Sequence, residues 1–168
     1  GAWRVELNDG TGFKRYESSI TINDGSWHHL AYTYDQETDS LKLYVDGVED
    51  VAMTKPIDTA FTNFTITEEI YVGVERGEGG VVDARIDEVR IWNDARTSAE
   101  IREHYNDQIA SPASDTSLAV YYLFDDTSEP TKVQNLSSAG DTLDRTIGPG
   151  ATVLQPRARH YRPDRQGR

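Results

Sequence analysis

The chain has 168 residues, enough for one domain with its own core, a formal charge of −12 at pH 7 and no cysteine. That balance excludes non-specific nucleic-acid binding and adsorption to anionic membranes through the body of the protein, and the lack of cysteine excludes a disulfide framework and a thiolate metal site. No apolar run approaches the roughly 20 residues of a membrane-spanning helix, so insertion into a membrane is not expected.

In chain order the dominant period is two. Residues 3–7, 19–22, 29–34, 41–45, 62–67, 70–74, 85–91 and 118–124 are short, rich in β-branched and aromatic residues, and separated by Gly, Asp, Asn or Ser clusters, which predicts eight strands. Asn8-Asp9-Gly10, Asn23-Asp24-Gly25 and Asp46-Gly47 are turn signals that join antiparallel neighbours, because Gly, Asn and Asp tolerate positive φ. One segment departs from the alternation. Thr97-Ser98-Ala99-Glu100 has capping-box spacing, and Ile101, Tyr105 and Ile109 recur at i, i+4 and i+8, which predicts the one sizeable helix over 98–109. Residues 118–124 carry apolar side chains on both faces and therefore belong inside a sheet, paired within the same chain or by exchange with another. Many short strands and one helix predict an all-β protein, a two-sheet antiparallel sandwich. The last twelve residues hold five arginines against one aspartate, leaving −16 for residues 1–156. This tail has little to bury and reads as disordered, or as an arm for an acidic surface.

His28 and His29 stand side by side in the stretch Gly25-Ser26-Trp27-His28-His29. On a strand, adjacent side chains face opposite sides, so the two imidazoles cannot share one metal or one substrate atom. Both read as structural, one packed and hydrogen-bonded and the other exposed at a sheet edge. Asn63-Phe64-Thr65 and Asn135-Leu136-Ser137 match the glycosylation acceptor pattern, which has meaning only in a eukaryotic secretory context.

DGSWHHLAYTYDQETDSLKLYVDGVED (24–50), followed by IYVGVERGEGGVVDARIDEVRIWNDARTSAEIREHY (70–105), resembles the laminin-G-like, concanavalin A-like jelly roll, in particular its bacterial type with pentraxin-like relatives. The resemblance implies two curved antiparallel sheets, a concave face often used for carbohydrate, and frequently a bound calcium ion. It also implies that Trp27, His29 and the Tyr-Val-Asp-Gly turn are structural. Two strands that usually open such domains do not precede Gly1, and residues 118–125 are similar to the first of them. We therefore expect a sandwich over 1–124 closed by 118–124, an extension or the start of a further module over 125–156, and the tail over 157–168. The whole would be a piece of a longer chain or a subunit completed by strand donation from a neighbour.

Glycosidases of this fold resemble one another in an E-x-D-x-E or E-x-D-x-x-E strand, which is absent here. Asp83, Arg85 and Asp87 alternate onto one expected face, and the arginine between them would keep both acids ionised, which suits no general acid. No catalytic residue is assigned. For calcium, a hard cation wanting oxygen ligands, the resemblance points to Asp87 with Asp125 or Asp126 as partner. For ligand contact the expected residues are Arg76 and Glu78 in the glycine-rich loop and the aromatic Trp92. The reading is a non-catalytic extracellular or cell-surface module for adhesion to carbohydrate or another surface ligand, with calcium as a structural cofactor. The alternatives are an assembly subunit that self-associates by strand exchange, and a glycan-active enzyme.

Overall fold

The computed structural model describes residues 1–8, 12–56, 72–73, 83–125, 132–140 and 145–146. The expected strand 62–67, residues 70, 71 and 74 of the expected strand 70–74, and the tail lie outside them; Val72 and Gly73 form a bend where that strand was expected. Two compact units emerge, the first within Gly1–Thr65 and Asp94–Gln108, the second within Ile66–Asn93 and Ile109–Arg159. Each has its own cluster of buried apolar residues, where length alone suggested a single core.

In the first unit, β1 (Ala2–Asn8) pairs antiparallel with β2 (Phe13–Thr21), setting Val5 opposite Tyr16 and Arg4 opposite Glu17. Period two sorts this ribbon into a buried face with Val5, Tyr16 and Ser18 and an outer face of ion pairs. Arg4 reaches Glu17 at 2.8 Å across that outer face, a contact contributing about 0–1 kcal/mol in water. A second sheet follows in the order β3 (Leu30–Asp35), β4 (Ser40–Val45), β5 (Val48–Glu49). Leu41 and Leu43 on β4 pack with Val5, Tyr16 and Met53 into the first core, and Trp3, Leu7 and Tyr34 close around it. Asp50, almost fully buried, ties β2 to the chain beyond β5: it accepts hydrogen bonds from the Ser18 hydroxyl (2.8 Å), the Ser19 amide (2.7 Å) and hydroxyl (2.6 Å), and the Ala52 amide (3.2 Å).

Strands β4 and β5 meet through the two residues Asp46 and Gly47, with Val45 opposite Val48. Both turn residues have positive φ, 51° and 76°, the requirement of a type I′ hairpin and the reason for Asp-Gly there. Tyr105, the C-cap of α1 (Ser98–His104), lies against Gly47, and the Tyr44 hydroxyl meets Ser98 at 3.2 Å, so the helix sits on the sheet face that Tyr44 presents. The capping box forms as expected: the Thr97 amide donates to Glu100 at 2.8 Å, and the Glu100 amide donates to Thr97 Oγ1 at 3.3 Å.

The helix is shorter than its periodicity suggested. It ends at His104, ahead of the poor helix formers Asn106 and Asp107, and Ile109 lies outside it with its amide donating to the Tyr121 hydroxyl at 3.2 Å. His28 and His29 also differ from expectation. The strand begins only at Leu30, so simple alternation does not govern the pair, and both rings are half-buried rather than one being exposed. His29 packs edge-on against Tyr105 with ring centroids 6.2 Å apart, and Trp27, expected to be structural, is 50% exposed among the described residues.

In the second unit, β6 (Val89–Trp92) pairs antiparallel with β7 (Leu118–Tyr122), so the doubly apolar segment is held in a sheet of its own chain. The expected strand over 85–91 starts only at Val89. Glu88 adopts φ 57°, and its amide donates to Asp87 Oδ1 at 2.8 Å, which takes the chain out of the extended conformation. The alternation expected of Asp83, Arg85 and Asp87 is lost with it. Two further short strands among the described residues, β8 (Lys132–Val133) and β9 (Arg145–Thr146), pair antiparallel.

Candidate functional site

A cleft of about 260 Å³ opens in the second unit where the chain leaves β7 and where β8 runs on. Leu123, Phe124, Val133 and Leu136 form its apolar walls, and Asp125, Lys132 and Gln134 supply its polar groups. The walls follow from the core beneath. Val120, Tyr122 and Val133 are buried together, and the Phe124 ring stands edge-on to Tyr122 at a centroid distance of 6.1 Å. Phe124 has φ 56°, a left-handed backbone uncommon for an aromatic residue, and this turn brings Asp125 to the cleft.

Asn135 holds the opposite wall in place. Its Oδ1 accepts the Tyr121 amide at 2.8 Å, while its Nδ2 donates to the Ala119 carbonyl at 3.3 Å and to Ser137 Oγ at 2.9 Å. The Leu136 amide adds a bond to the Tyr121 carbonyl at 3.0 Å. The side chain is 2% exposed, so in the folded protein the Asn135-Leu136-Ser137 pattern is a strut and not an accessible glycosylation acceptor.

The other face of β7 carries a polar cluster. The Tyr121 hydroxyl donates to Glu88 Oε2 at 2.7 Å, Arg90 donates to the same oxygen at 2.7 Å, and the Arg90 guanidinium lies 5.3 Å from the centre of the Tyr121 ring. Burial, with the hydrogen bond to Glu88 adding to it, pushes the Tyr121 phenol up to about 12. With its pKa raised, the Tyr121 phenol is not set to give up its proton near neutral pH. The cluster anchors the strand from behind.

Of the residues expected from sequence, Arg76, Glu78 and Asp126 lie outside the described residues. Asp125 lines the cleft, Asp87 accepts its neighbour's amide before β6, and Trp92 ends β6 half-buried opposite Leu118. Phe124, Lys132 and Gln134 were not anticipated. Phe124 lay in a stretch read as strand, and nothing in the pattern marks 132–136 as its neighbour. A calcium ion takes six to eight oxygens. Among the described residues no three His, Asp or Glu side chains gather where a metal could be held, and Asp87 and Asp125 supply only two carboxylates. Asp126, the remaining expected ligand, lies outside the described residues.

A comparison with curated proteins gives no match. Among solved structures, the chain is similar to a candidate carbohydrate-binding protein from Bacteroides ovatus ATCC 8483, with a TM-score of 0.55 and 22% identity over 90% of this chain. That likeness speaks to the fold, and the chain spans only 43% of the other protein's length. A laminin G family described as the concanavalin A-like lectin/glucanases superfamily matches residues 1–102. Antiparallel sheets, a single short α-helix among the described residues and a match over more than half the sequence agree with the fold class expected, an all-β sandwich of the concanavalin A-like type: the chain belongs to the concanavalin A-like lectin/glucanases superfamily.

Proposed function

We propose that the chain is a non-catalytic carbohydrate-binding module of an extracellular or cell-surface protein, and that the cleft beside β7 receives one sugar ring. The observation that carries this is the cleft's make-up: an aromatic and aliphatic wall edged by a carboxylate, an amine and an amide. A pyranose has an apolar face of C–H groups and an equatorial rim of hydroxyls, so Phe124 supports the first while Asp125, Lys132 and Gln134 hydrogen-bond the second. The volume of about 260 Å³ falls just below the ~300–1,000 Å³ typical of drug-sized ligands, which favours a single ring over a long oligosaccharide.

The superfamily name spans lectins and glucanases, so the choice between binding and hydrolysis turns on the site. Glycoside hydrolysis needs two carboxyl groups about 5–9.5 Å apart flanking the bond. Asp125 is the one carboxylate among the described residues lining the cleft. The bacterial protein of similar fold is itself described as a candidate carbohydrate binder, which supports the same class of ligand.

The test is a glycan array followed by calorimetry with the best ligands, on the wild type and on Asp125→Asn and Gln134→Ala. Each variant should lose at least about tenfold in affinity, equivalent to about 1.4 kcal/mol, with unchanged circular dichroism. The monosaccharide should bind nearly as well as its oligomers, and no reducing ends should appear on incubation. Silence across the array, binding indifferent to both variants, or release of sugar would each overturn the proposal.

A further inference from the structure

The segment between β2 and β3 turns through Asn23-Asp24-Gly25-Ser26, where Asp24 Oδ1 accepts the Ser26 amide at 2.8 Å. His28 links that turn to the β4–β5 turn. Its Nδ1 is 2.9 Å from Asp46 Oδ2, and its Nε2 is 3.1 Å from Asp24 Oδ1. A neutral imidazole has one N–H and one lone pair, so only the imidazolium can donate to both carboxylates. Asp24 faces the ring from the first turn and Asp46 from the second. Helix α1 brings Tyr105 and the backbone of Arg102 against Gly47 in the same turn, and the neighbouring His29 ring is turned onto Tyr105.

The two arms are unequal. Asp46 is fixed independently of His28, because its Oδ1 accepts the His29 amide at 2.9 Å and its own amide donates to the His29 carbonyl at 2.9 Å. Asp24 has a side chain 55% exposed, and its other bond stays within its own turn. We propose that His28 is a proton-operated latch: the imidazolium ties the Asp24 turn down, and loss of the Nε2 proton releases the segment 23–27, which carries the half-exposed Trp27, while the Asp46 arm holds.

Hydrogen bonds to Asp46 and then Asp24 raise the His28 pKa above its ordinary 6.5, and the Ser26 amide and His28 together hold Asp24 below 3.8. For a raised histidine pKa, the latch contributes fully below pH 6.5 and is lost as pH climbs through the folded value. At the acid end, the Asp24 arm is lost as pH falls through that carboxylate's depressed value.

The test is a carbon-detected NMR titration of the whole chain from pH 5 to 9. It reads the His28 ring shift and the order parameters of residues 24–27 and of His29. The ring should titrate above 6.5, and order at 24–27 should fall across that midpoint while His29 stays rigid. Asp24→Asn, a change at an exposed side chain, should lower the His28 midpoint and leave 24–27 mobile at every pH. A midpoint at or below 6.5, or order at 24–27 that ignores the midpoint, would overturn the latch.

Discussion

Replacing Gly47 by alanine tests the contact between the β4–β5 turn and α1. Two costs are built into the position. Its φ of 76° is left-handed, which adds about 1–2 kcal/mol for a residue with a Cβ. That Cβ would also meet the Tyr105 ring at 2.8 and 3.0 Å and the Arg102 Cα at 3.3 Å. The ring also packs against His29 and the Arg102 atom is backbone, so relief requires the helix end to shift, an overpacking cost of about 1–3 kcal/mol. Together these give roughly 2–5 kcal/mol against a total stability of about 5–15 kcal/mol. Urea unfolding followed by circular dichroism reads the loss directly. The cycle with Tyr105→Ala separates the parts: in that background the clash with the ring disappears, and about 1–2 kcal/mol of backbone strain remains with the milder Arg102 contact. A Gly47→Ala cost below about 1 kcal/mol, or one equal in both backgrounds, would refute the close packing of α1 on the turn.

Asp50→Ala should destabilise by roughly 2–4 kcal/mol, because the Ser18 hydroxyl, the Ser19 hydroxyl and amide, and the Ala52 amide lose their acceptor; urea midpoints measure it. Burial pushes the Asp50 carboxyl up, but the hydrogen bonds from Ser19, Ser18 and Ala52 outweigh it and hold the pKa below 3.8. Its stabilisation is therefore present above the unfolded value and lost as pH falls through the folded one, so Asp50→Asn should flatten the acid limb of a melting-temperature profile taken below pH 4. Tyr121→Phe removes the acceptor of the Ile109 amide and a donor to Glu88, and should cost about 1–3 kcal/mol in the same urea assay. An unchanged midpoint would show that the cluster behind β7 does not hold the strand.

Local chemistry was legible in the sequence wherever a short pattern has one physical solution. Asp46-Gly47 between two apolar runs becomes a type I′ turn because both positions require positive φ, and Thr97 with Glu100 becomes a capping box because each satisfies the other's amide. The both-face apolarity of 118–122 placed it inside a sheet, since neither side can be left in water. The alternation of Trp3, Val5 and Leu7 with Arg4 and Glu6 runs in step with the burial observed along β1. Tertiary structure alone decided the rest. Glu88 turning left-handed stops the strand that residue types favoured, and Tyr121, twelve residues away, captures the amide of Ile109 that periodicity assigned to the helix. His28 reads as one of a strand pair until Asp24 and Asp46 arrive at its two nitrogens. Asn135 reads as a glycan acceptor until Tyr121 and Ala119 of β7 and its neighbour Ser137 engage its amide group, which fixes the run that lines the cleft together with Phe124. Periods of two and 3.6 and the φ tolerance of single residues are properties of neighbours in the chain; which donor meets which acceptor across many residues is settled only when burial leaves a polar group no water to bond.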